Sequence, residues 1–213
     1  MRLINSFQVI SVFLSLAIIS GCGEEKPSLT PLSQTSTILA FGDSLTYGTG
    51  TTIDRSYPSI LSRLTGIKTI NDGVSGEITA RGKIRLKTSL RKYHPDLVIL
   101  CHGGNDLIQK VDQQQTQKNL DEMINMIKKT GADVILIAVP EPSLLLKPAP
   151  FYRELAEKYS LPLEEKVLST ILANRNLKSD SVHPNESGYL QMAFAIANLM
   201  VETKAIKQLN SLE

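Results

Sequence analysis

Three polar residues of the sequence, a serine, a histidine and an aspartate, have the types and spacing needed for nucleophilic catalysis. Ser44 lies in "FGDSLTYGTG", directly after the apolar run "TILAF", whereas Asp180 and His183 lie in "SDSVHPNESGY". A serine hydroxyl is a weak nucleophile until a base removes its proton. The spacing of three residues can bring Asp180 and His183 to the same side of one turn of chain. In a triad, Asp180 would accept the Nδ1 proton of His183, and Nε2 would take the proton of Ser44.

The same residues also have structural interpretations. A turn serine is usually structural, and Asp180 and His183 could be a helix-capping pair. The chain lacks the Gly-x-Ser-x-Gly pentapeptide of the α/β-hydrolase nucleophile. Pro184 suits the first position of a helix, which would fix His183 at the helix entrance. Ser44 must therefore be judged by the partners that the fold brings to it.

Two further residues, Gly76 in "NDGVSGEIT" and Asn105 in "CHGGNDL", follow predicted strands as Ser44 does. Ligands of open parallel sheets bind at the carboxyl ends of the strands. The backbone N–H groups of Ser44 and Gly76 and the side-chain amide of Asn105 could together form an oxyanion hole. Gly76 could instead be only a turn glycine, and Asn105 only a loop-stabilising amide.

Apolar runs of strand length alternate with helical segments along the chain. The strands are predicted at 37–41, 67–71, 97–101 and 134–139, with a weaker fifth at 161–163. The helices are predicted at 57–64, 77–92, 116–129, 151–159, 164–173 and 185–203. Strands without polar alternation are buried on both faces, so the pattern predicts an α/β domain with a covered parallel sheet.

The N-terminus predicts export. Residues 1–22, "MRLINSFQVISVFLSLAIISGC", have a basic start, a short apolar stretch and small residues before Cys22. The ending "ISGC" resembles the bacterial lipobox, which implies lipid attached to Cys22 and a lipoprotein anchored in the cell envelope. In a Gram-negative host, Gly23 rather than Asp after the cysteine would favour the outer membrane. A simple secretory peptide or a short anchor is the alternative. Residues 23–36 are polar and predict a flexible tether to a domain over 37–213.

Composition excludes several classes of partner. The 213 residues carry 23 Lys and Arg against 21 Asp and Glu and contain no Trp, so nothing favours nucleic acid. The basic segment after Gly76 predicts a solvated face, or a face against anionic lipid head groups. No metal-ligand spacing is present, and with Cys22 lipidated, Cys101 has no disulfide partner. We expect a monomer without a bound metal.

Four blocks in order, "FGDSLTYG", "GVSGEIT", "GGNDL" and "DSVHPN", resemble the GDSL or SGNH hydrolase family, most closely its thioesterase I/lysophospholipase L1 and arylesterase group. The resemblance implies a flavodoxin-like three-layer sandwich with five parallel strands and no metal or organic cofactor. It also implies a catalytic Ser44, Asp180 and His183, with Gly76 and Asn105 completing the oxyanion hole. His102 is a local departure, because relatives often carry an acidic or small residue there.

The expected function is hydrolysis of carboxylic esters or thioesters through an acyl-Ser44 intermediate. Short acyl esters, lysophospholipids and acyl thioesters are the candidate substrates. The alternatives are an acetylesterase acting on envelope or exogenous polysaccharide and a non-catalytic lipoprotein that binds a ligand. The segment 139–152, "VPEPSLLLKPAPFY", is either an ordinary surface loop or a wall of an acyl-chain groove formed by residues 144–146.

Overall fold

The computed structural model describes residues 27–211, which form a five-stranded parallel sheet. The strands are β1 (Thr37–Gly42), β2 (Lys68–Gly73), β3 (Leu97–Cys101), β4 (Asp133–Ile137) and β5 (Leu163–Glu164). Their spatial order is β2-β1-β3-β4-β5, the order of flavodoxin-like folds. The predicted three-layer fold is confirmed.

Helices cover both faces of the sheet. They are α1 (Ser44–Tyr47), α2 (Tyr57–Thr65), α3 (Thr79–Tyr93), α4 (Gly104–Ile108), α5 (Gln113–Lys128), α6 (Phe151–Tyr159), α7 (Val167–Ala173) and α8 (Glu186–Glu202). Short 3-10 helices span Ile53–Arg55 and Arg175–Leu177. Helix α2 packs against α8, and α3 packs against α5. All five residues of the central strand β3 are buried, because both faces of the sheet are covered.

Side-chain caps explain where the helix boundaries differ from the predicted ones. Helix α7 begins at Val167 rather than at residue 164, because Glu164 belongs to β5 and its Oε1 accepts the N–H groups of Lys166 and Val167, each at 2.9 Å. Helix α5 begins three residues earlier than predicted, because Asp112 caps it through the N–H of Gln115. These boundaries depend on carboxylates just outside each helix, which apolar periodicity does not report.

The described part of the predicted tether, residues 27–36, packs against the domain. The N–H groups of Leu29 and Leu32 donate to the carbonyl oxygens of Thr203 and Ala205, each at 2.8 Å. The Leu29 side chain is 7% exposed and joins the core. The prediction of a flexible tether is therefore wrong for these residues, because two leucines in a polar segment find apolar cover that composition does not reveal.

The predicted leader and its Cys22 lie outside the described residues. Within 27–211, no helix is long and apolar enough to cross a membrane.

Replacing Leu29 with alanine is expected to lower the free energy of unfolding by about 2 kcal/mol, the low end for a buried leucine, because the residue lies at the edge of the core. Leu145, which is 71% exposed, provides the matched control, and Leu145→Ala should change stability by less than about 0.5 kcal/mol. Urea unfolding of both variants measures the difference. Equal free energies of unfolding for Leu29→Ala and Leu145→Ala would show that the Leu29 side chain contributes no packing.

Candidate active site

The predicted serine, histidine and aspartate meet at the carboxyl edge of the sheet. Ser44 Oγ lies 3.0 Å from His183 Nε2, and His183 Nδ1 lies 2.7 Å from Asp180 Oδ2. Ser44 and His183 are 139 residues apart in sequence, so only the fold brings them together. The three side chains form one continuous chain of hydrogen bonds.

A tight turn after β1 presents Ser44. Asp43 is buried, and its Oδ1 accepts the N–H of Leu45 at 3.0 Å, which caps the short helix α1. Burial raises the pKa of the Asp43 carboxyl. Gly42 ends β1 where a Cβ would lie only 2.1 Å from the carbonyl oxygen of Cys101, so the neighbouring strand requires glycine at this position.

The carboxylate of Asp180 organises the histidine. Its Oδ1 accepts the backbone N–H groups of Val182 and His183, each at 2.8 Å, while Oδ2 faces the imidazole. Burial raises the pKa of Asp180, but the hydrogen bonds from His183 and the backbone outweigh it and lower the pKa below its usual value. The ionised carboxylate therefore holds the proton of His183 on Nδ1 and leaves Nε2 free to accept from Ser44.

The segment that carries the histidine is a turn before α8 rather than the first turn of the helix. Asn185 caps α8 through the N–H of Gly188 at 3.1 Å, so the prediction that Pro184 takes the first helical position is wrong. Asp180 accepts backbone N–H groups within its own turn and caps no helix. The helix-capping interpretation of the pair is therefore excluded.

The three predicted oxyanion-hole donors follow β1, β2 and β3 at this edge. The N–H of Ser44 is the first of α1, where a helix leaves its N–H groups without intrahelical partners. One hydrogen of the Asn105 amide goes to the carbonyl oxygen of Glu77 at 3.1 Å, which leaves the second hydrogen for a ligand. Gly76 has φ 77°, a conformation that favours glycine, and the space around its Cβ position is open.

A cavity of about 390 Å³ opens beside Ser44, Asn105 and His183. Its residues do not include Gly76, which lies on the neighbouring loop. Its apolar wall consists of Leu45, Ile108, Val139, Pro140, Pro142, Leu144, Leu146, Leu172 and Val182. Leu144 and Leu146 thus lie where the groove interpretation predicts, whereas Leu145 does not belong to the cavity lining.

A partly buried ionic network lies beneath the segments that follow β2 and β3, and no motif of the sequence indicates it. Arg85 Nε and Nη2 donate to the carboxylate of Glu77 at 2.9 and 2.7 Å, and Arg85 Nη1 lies 2.9 Å from Asp72 Oδ2. The guanidinium also lies over the ring of Phe41 at 4.1 Å. His102 Nε2 lies 3.2 Å from Glu77 Oε2. The predicted solvated basic face of α3 therefore does not include Arg85.

The shifted pKa of Glu77 makes the contribution of this network to the free energy of unfolding depend on pH. Burial raises the pKa, but hydrogen bonds from His102 and Arg85 outweigh it and lower the pKa to about 2. A lowered folded-state pKa stabilises the protein above the unfolded value of about 4.3, and this stabilisation is lost as pH falls toward 2. At neutral pH the effect amounts to about 3 kcal/mol at most.

For Glu77→Gln, the loss in free energy of unfolding relative to the native sequence should therefore be largest near pH 6 and narrow between about pH 4.5 and 2.5. Urea unfolding across this range measures the gap. Glu186→Gln is the control, because Glu186 pairs with Arg55 at the exposed surface and should change stability by less than about 0.5 kcal/mol. A constant gap for Glu77→Gln would contradict the assigned ionisation.

The fold and the site together define a class of protein. A flavodoxin-like sheet with a Ser-His-Asp hydrogen-bond chain at its carboxyl edge is the architecture of an SGNH-type hydrolase. The model of the GDSL-like Lipase/Acylhydrolase family matches residues 40–190. The chain belongs to this family and is a hydrolase that acts on ester bonds.

Individual relatives agree with this assignment. An arylesterase of Vibrio mimicus is 29% identical over 78% of this chain and 88% of its own length. Thioesterase 1/protease 1/lysophospholipase L1 of Escherichia coli K12 is 27% identical over 70% of this chain and 76% of its own length. The crystal structure of AlinE4, an SGNH-hydrolase family esterase, superposes with a TM-score of 0.61 at 32% identity, covering 80% of this chain and 97% of AlinE4.

Proposed function

We propose that the protein is a serine esterase that cleaves carboxylic esters or thioesters through an acyl-Ser44 intermediate. The observation that carries the proposal is the 3.0 Å contact between Ser44 Oγ and His183 Nε2, with Asp180 on the other ring nitrogen. The contact supports the proposal because 3.0 Å is within proton-transfer reach and a carboxylate on Nδ1 favours the tautomer in which Nε2 can act as a base.

The first half of the reaction transfers the acyl group. His183 Nε2 takes the hydroxyl proton as Ser44 Oγ bonds to the carbonyl carbon of the substrate. The carbonyl oxygen becomes an oxyanion, which the N–H groups of Ser44 and Gly76 and the amide of Asn105 stabilise. His183 then gives its proton to the departing alcohol or thiol as the ester bond breaks, which leaves the acyl group on Ser44.

The second half releases the acid. Water takes the place of the leaving group, and His183 Nε2 removes one of its protons while the water oxygen attacks the acyl carbon. Collapse of the second tetrahedral intermediate breaks the bond to Ser44 Oγ, which regains a proton from His183. Asp180 remains ionised throughout and stabilises the imidazolium that forms in each half.

The cavity supports an acyl chain as the part of the substrate held beside Ser44. Leu144 and Leu146 line it together with Ile108, so an apolar chain can replace water against this wall. Short acyl esters, lysophospholipids and acyl thioesters all present such a chain. The Vibrio relative is named an arylesterase, and the name of the Escherichia relative includes thioesterase and lysophospholipase.

A substrate panel tests the proposal with protein that lacks residues 1–22. Aryl esters of increasing acyl length, an acyl thioester, a lysophospholipid and an acetylated xylan are hydrolysed in parallel, with Ser44→Ala as background. A reactive alkyl phosphonate, which labels an activated serine, is added in a separate reaction. We expect turnover of acyl esters and one phosphonate bound per Ser44. Turnover of the acetylated glycan alone would favour a polysaccharide acetylesterase. Absence of both turnover and phosphonate labelling would mean a ligand-binding protein and would overturn the proposal.

We also propose export and lipid attachment at Cys22, on the basis of "ISGC". Labelling with a radioactive fatty acid in a bacterial host that processes lipoproteins should mark the native protein and leave Cys22→Ser unlabelled. Equal labelling of the two proteins, or an unlabelled native protein, would overturn lipid attachment at Cys22.

A further inference from the structure

A second histidine, His102, lies fully buried between the sheet and the catalytic loops. It directly follows β3 and precedes the segment that carries Asn105. Its Nδ1 accepts the backbone N–H of Gly103 at 3.0 Å. Because a backbone N–H can only donate, Nδ1 carries no proton, and the neutral ring bears its proton on Nε2. That N–H faces Glu77 Oε2 at 3.2 Å and donates to it.

Glu77 directly follows Gly76, and both its backbone carbonyl oxygen and its side-chain carboxylate accept hydrogen bonds. Its carbonyl oxygen accepts from the side chain of Asn105 at 3.1 Å. Its carboxylate accepts from Arg85 and from His102. His102 and Asn105 belong to the segment that follows β3, whereas Glu77 belongs to the segment that follows β2, so a single residue joins the two segments at two points.

We infer that His102 is a positioning residue that sets the separation between the backbone N–H of Gly76 and the side-chain amide of Asn105. These are the two oxyanion-hole donors besides the N–H of Ser44. The inference rests on the proposed function, because it assigns Gly76 and Asn105 to the oxyanion. The Nε2–H of His102 fixes the residue next to Gly76, and its Nδ1 fixes the turn that leads to Asn105. Donors act on a transition state only when they are already in place, so a small displacement of either one lowers kcat.

A glycine in α3 provides independent support. A Cβ on Gly82 would lie 2.3 Å from His102 Nε2 and 3.1 Å from Glu77 Oε2. Glycine weakens a helix interior, and Gly82 has a φ that any residue can adopt, so backbone conformation does not require it. The space it leaves is filled by the imidazole at its contact with Glu77. The sequence thus combines a histidine with the one residue small enough to admit it.

The test uses replacements that separate the two hydrogen bonds of the ring. His102→Asn keeps an acceptor near Nδ1 for the N–H of Gly103 but is too short to reach Glu77. His102→Gln can place an N–H donor close to the position of Nε2. Gly82→Ala keeps every hydrogen-bonding group and displaces the imidazole. His94→Asn is the matched control, because His94 is exposed at the end of α3 in a left-handed conformation that asparagine tolerates.

Each variant is assayed on an aryl ester, with active sites counted by phosphonate titration. We expect kcat per active site to fall about 10-fold in His102→Asn and in Gly82→Ala, with KM changed less than about 2-fold, because the donors act on the transition state rather than on the bound ester. His102→Gln should retain kcat within about 3-fold of the native sequence, and His94→Asn should not change it. The double variant that combines His102→Asn with Gly82→Ala should lose no more than His102→Asn alone, because the shorter side chain leaves room for the methyl group.

The possible failures are distinguishable. A native protein without ester turnover and without phosphonate on Ser44 would overturn the proposed function, and the inference with it. Native turnover that His102→Asn and Gly82→Ala leave intact per active site would overturn the inference alone. A loss of kcat in His102→Asn that His102→Gln does not restore would also overturn the inference. So would an effect of His102→Asn on KM and on the number of active sites with kcat unchanged, because His102 would then act in folding.

Discussion

Replacing Ser44 with alanine is expected to lower kcat for ester hydrolysis by at least about 10⁴-fold, because the acyl intermediate then has no hydroxyl on which to form. His183→Ala should cause a loss of the same order, since the hydroxyl then keeps its proton. The two residues act as one unit, so the double variant should be no slower than either single variant. The residual rate would come from binding and from the oxyanion hole.

Steady-state rates on one aryl ester, with each variant purified through separate equipment to avoid traces of native enzyme, measure these losses. Thermal unfolding of Ser44→Ala provides the control, because loss of one hydroxyl at this small turn should leave the midpoint within a few degrees of the native value. Losses that add in the double variant would contradict a shared proton-transfer step. Retained turnover in Ser44→Ala would reject the nucleophile.

Asp180→Asn is expected to lower kcat by roughly 10³-fold. The amide that this substitution introduces would donate to His183 Nδ1, which favours the tautomer with its proton on Nε2, facing Ser44, where it cannot act as a base. The loss should fall short of the about 10⁴-fold known for a buried triad aspartate, because 51% of the Asp180 side chain is exposed and water can partly replace the carboxylate.

The pH profile of kcat/KM distinguishes a tautomer effect from misfolding. In Asp180→Asn, hydroxide ion from the solvent can act as the base at alkaline pH. The value of kcat/KM should therefore keep rising above neutral pH instead of reaching a plateau. Asp121→Asn is a control at an aspartate remote from the site, paired with Lys158 at the surface, and should keep the native profile. A native-like plateau in Asp180→Asn would show that Asp180 does not set the tautomer.

The apolar patterns of the sequence predicted the sheet well, because strands buried on both faces leave an unambiguous run. "LVILC" is strand β3 at the predicted residues, and the predicted helix 151–159 is α6 without a shift. The order of the motifs along the chain also predicted which residues would follow strands. Ser44 and His183 are in contact because the fold places the end of β1 beside the turn before α8.

The ionic network could not be predicted in the same way. Glu77 and His102 are 25 residues apart, and no periodic signal links a loop after one strand to a loop after another. Arg85 lies on a helix with five other basic residues, so its charge is expected to be solvated until the register of α3 against β1 is known. Pairing of this kind is decided by tertiary packing, and the sequence offers only the presence of both charges.

The attachment of Leu29 beside Thr203 determines how the enzyme would sit on a membrane. Thr203 directly follows α8, whose 17 residues extend about 25 Å from the catalytic turn. The chain from Cys22 to residue 27 reaches about 17 Å when fully extended, which is less than the length of α8. If Cys22 carries lipid as proposed, the catalytic turn would reach the leaflet only when α8 lies along the bilayer, and with α8 upright the ester would arrive from the aqueous side.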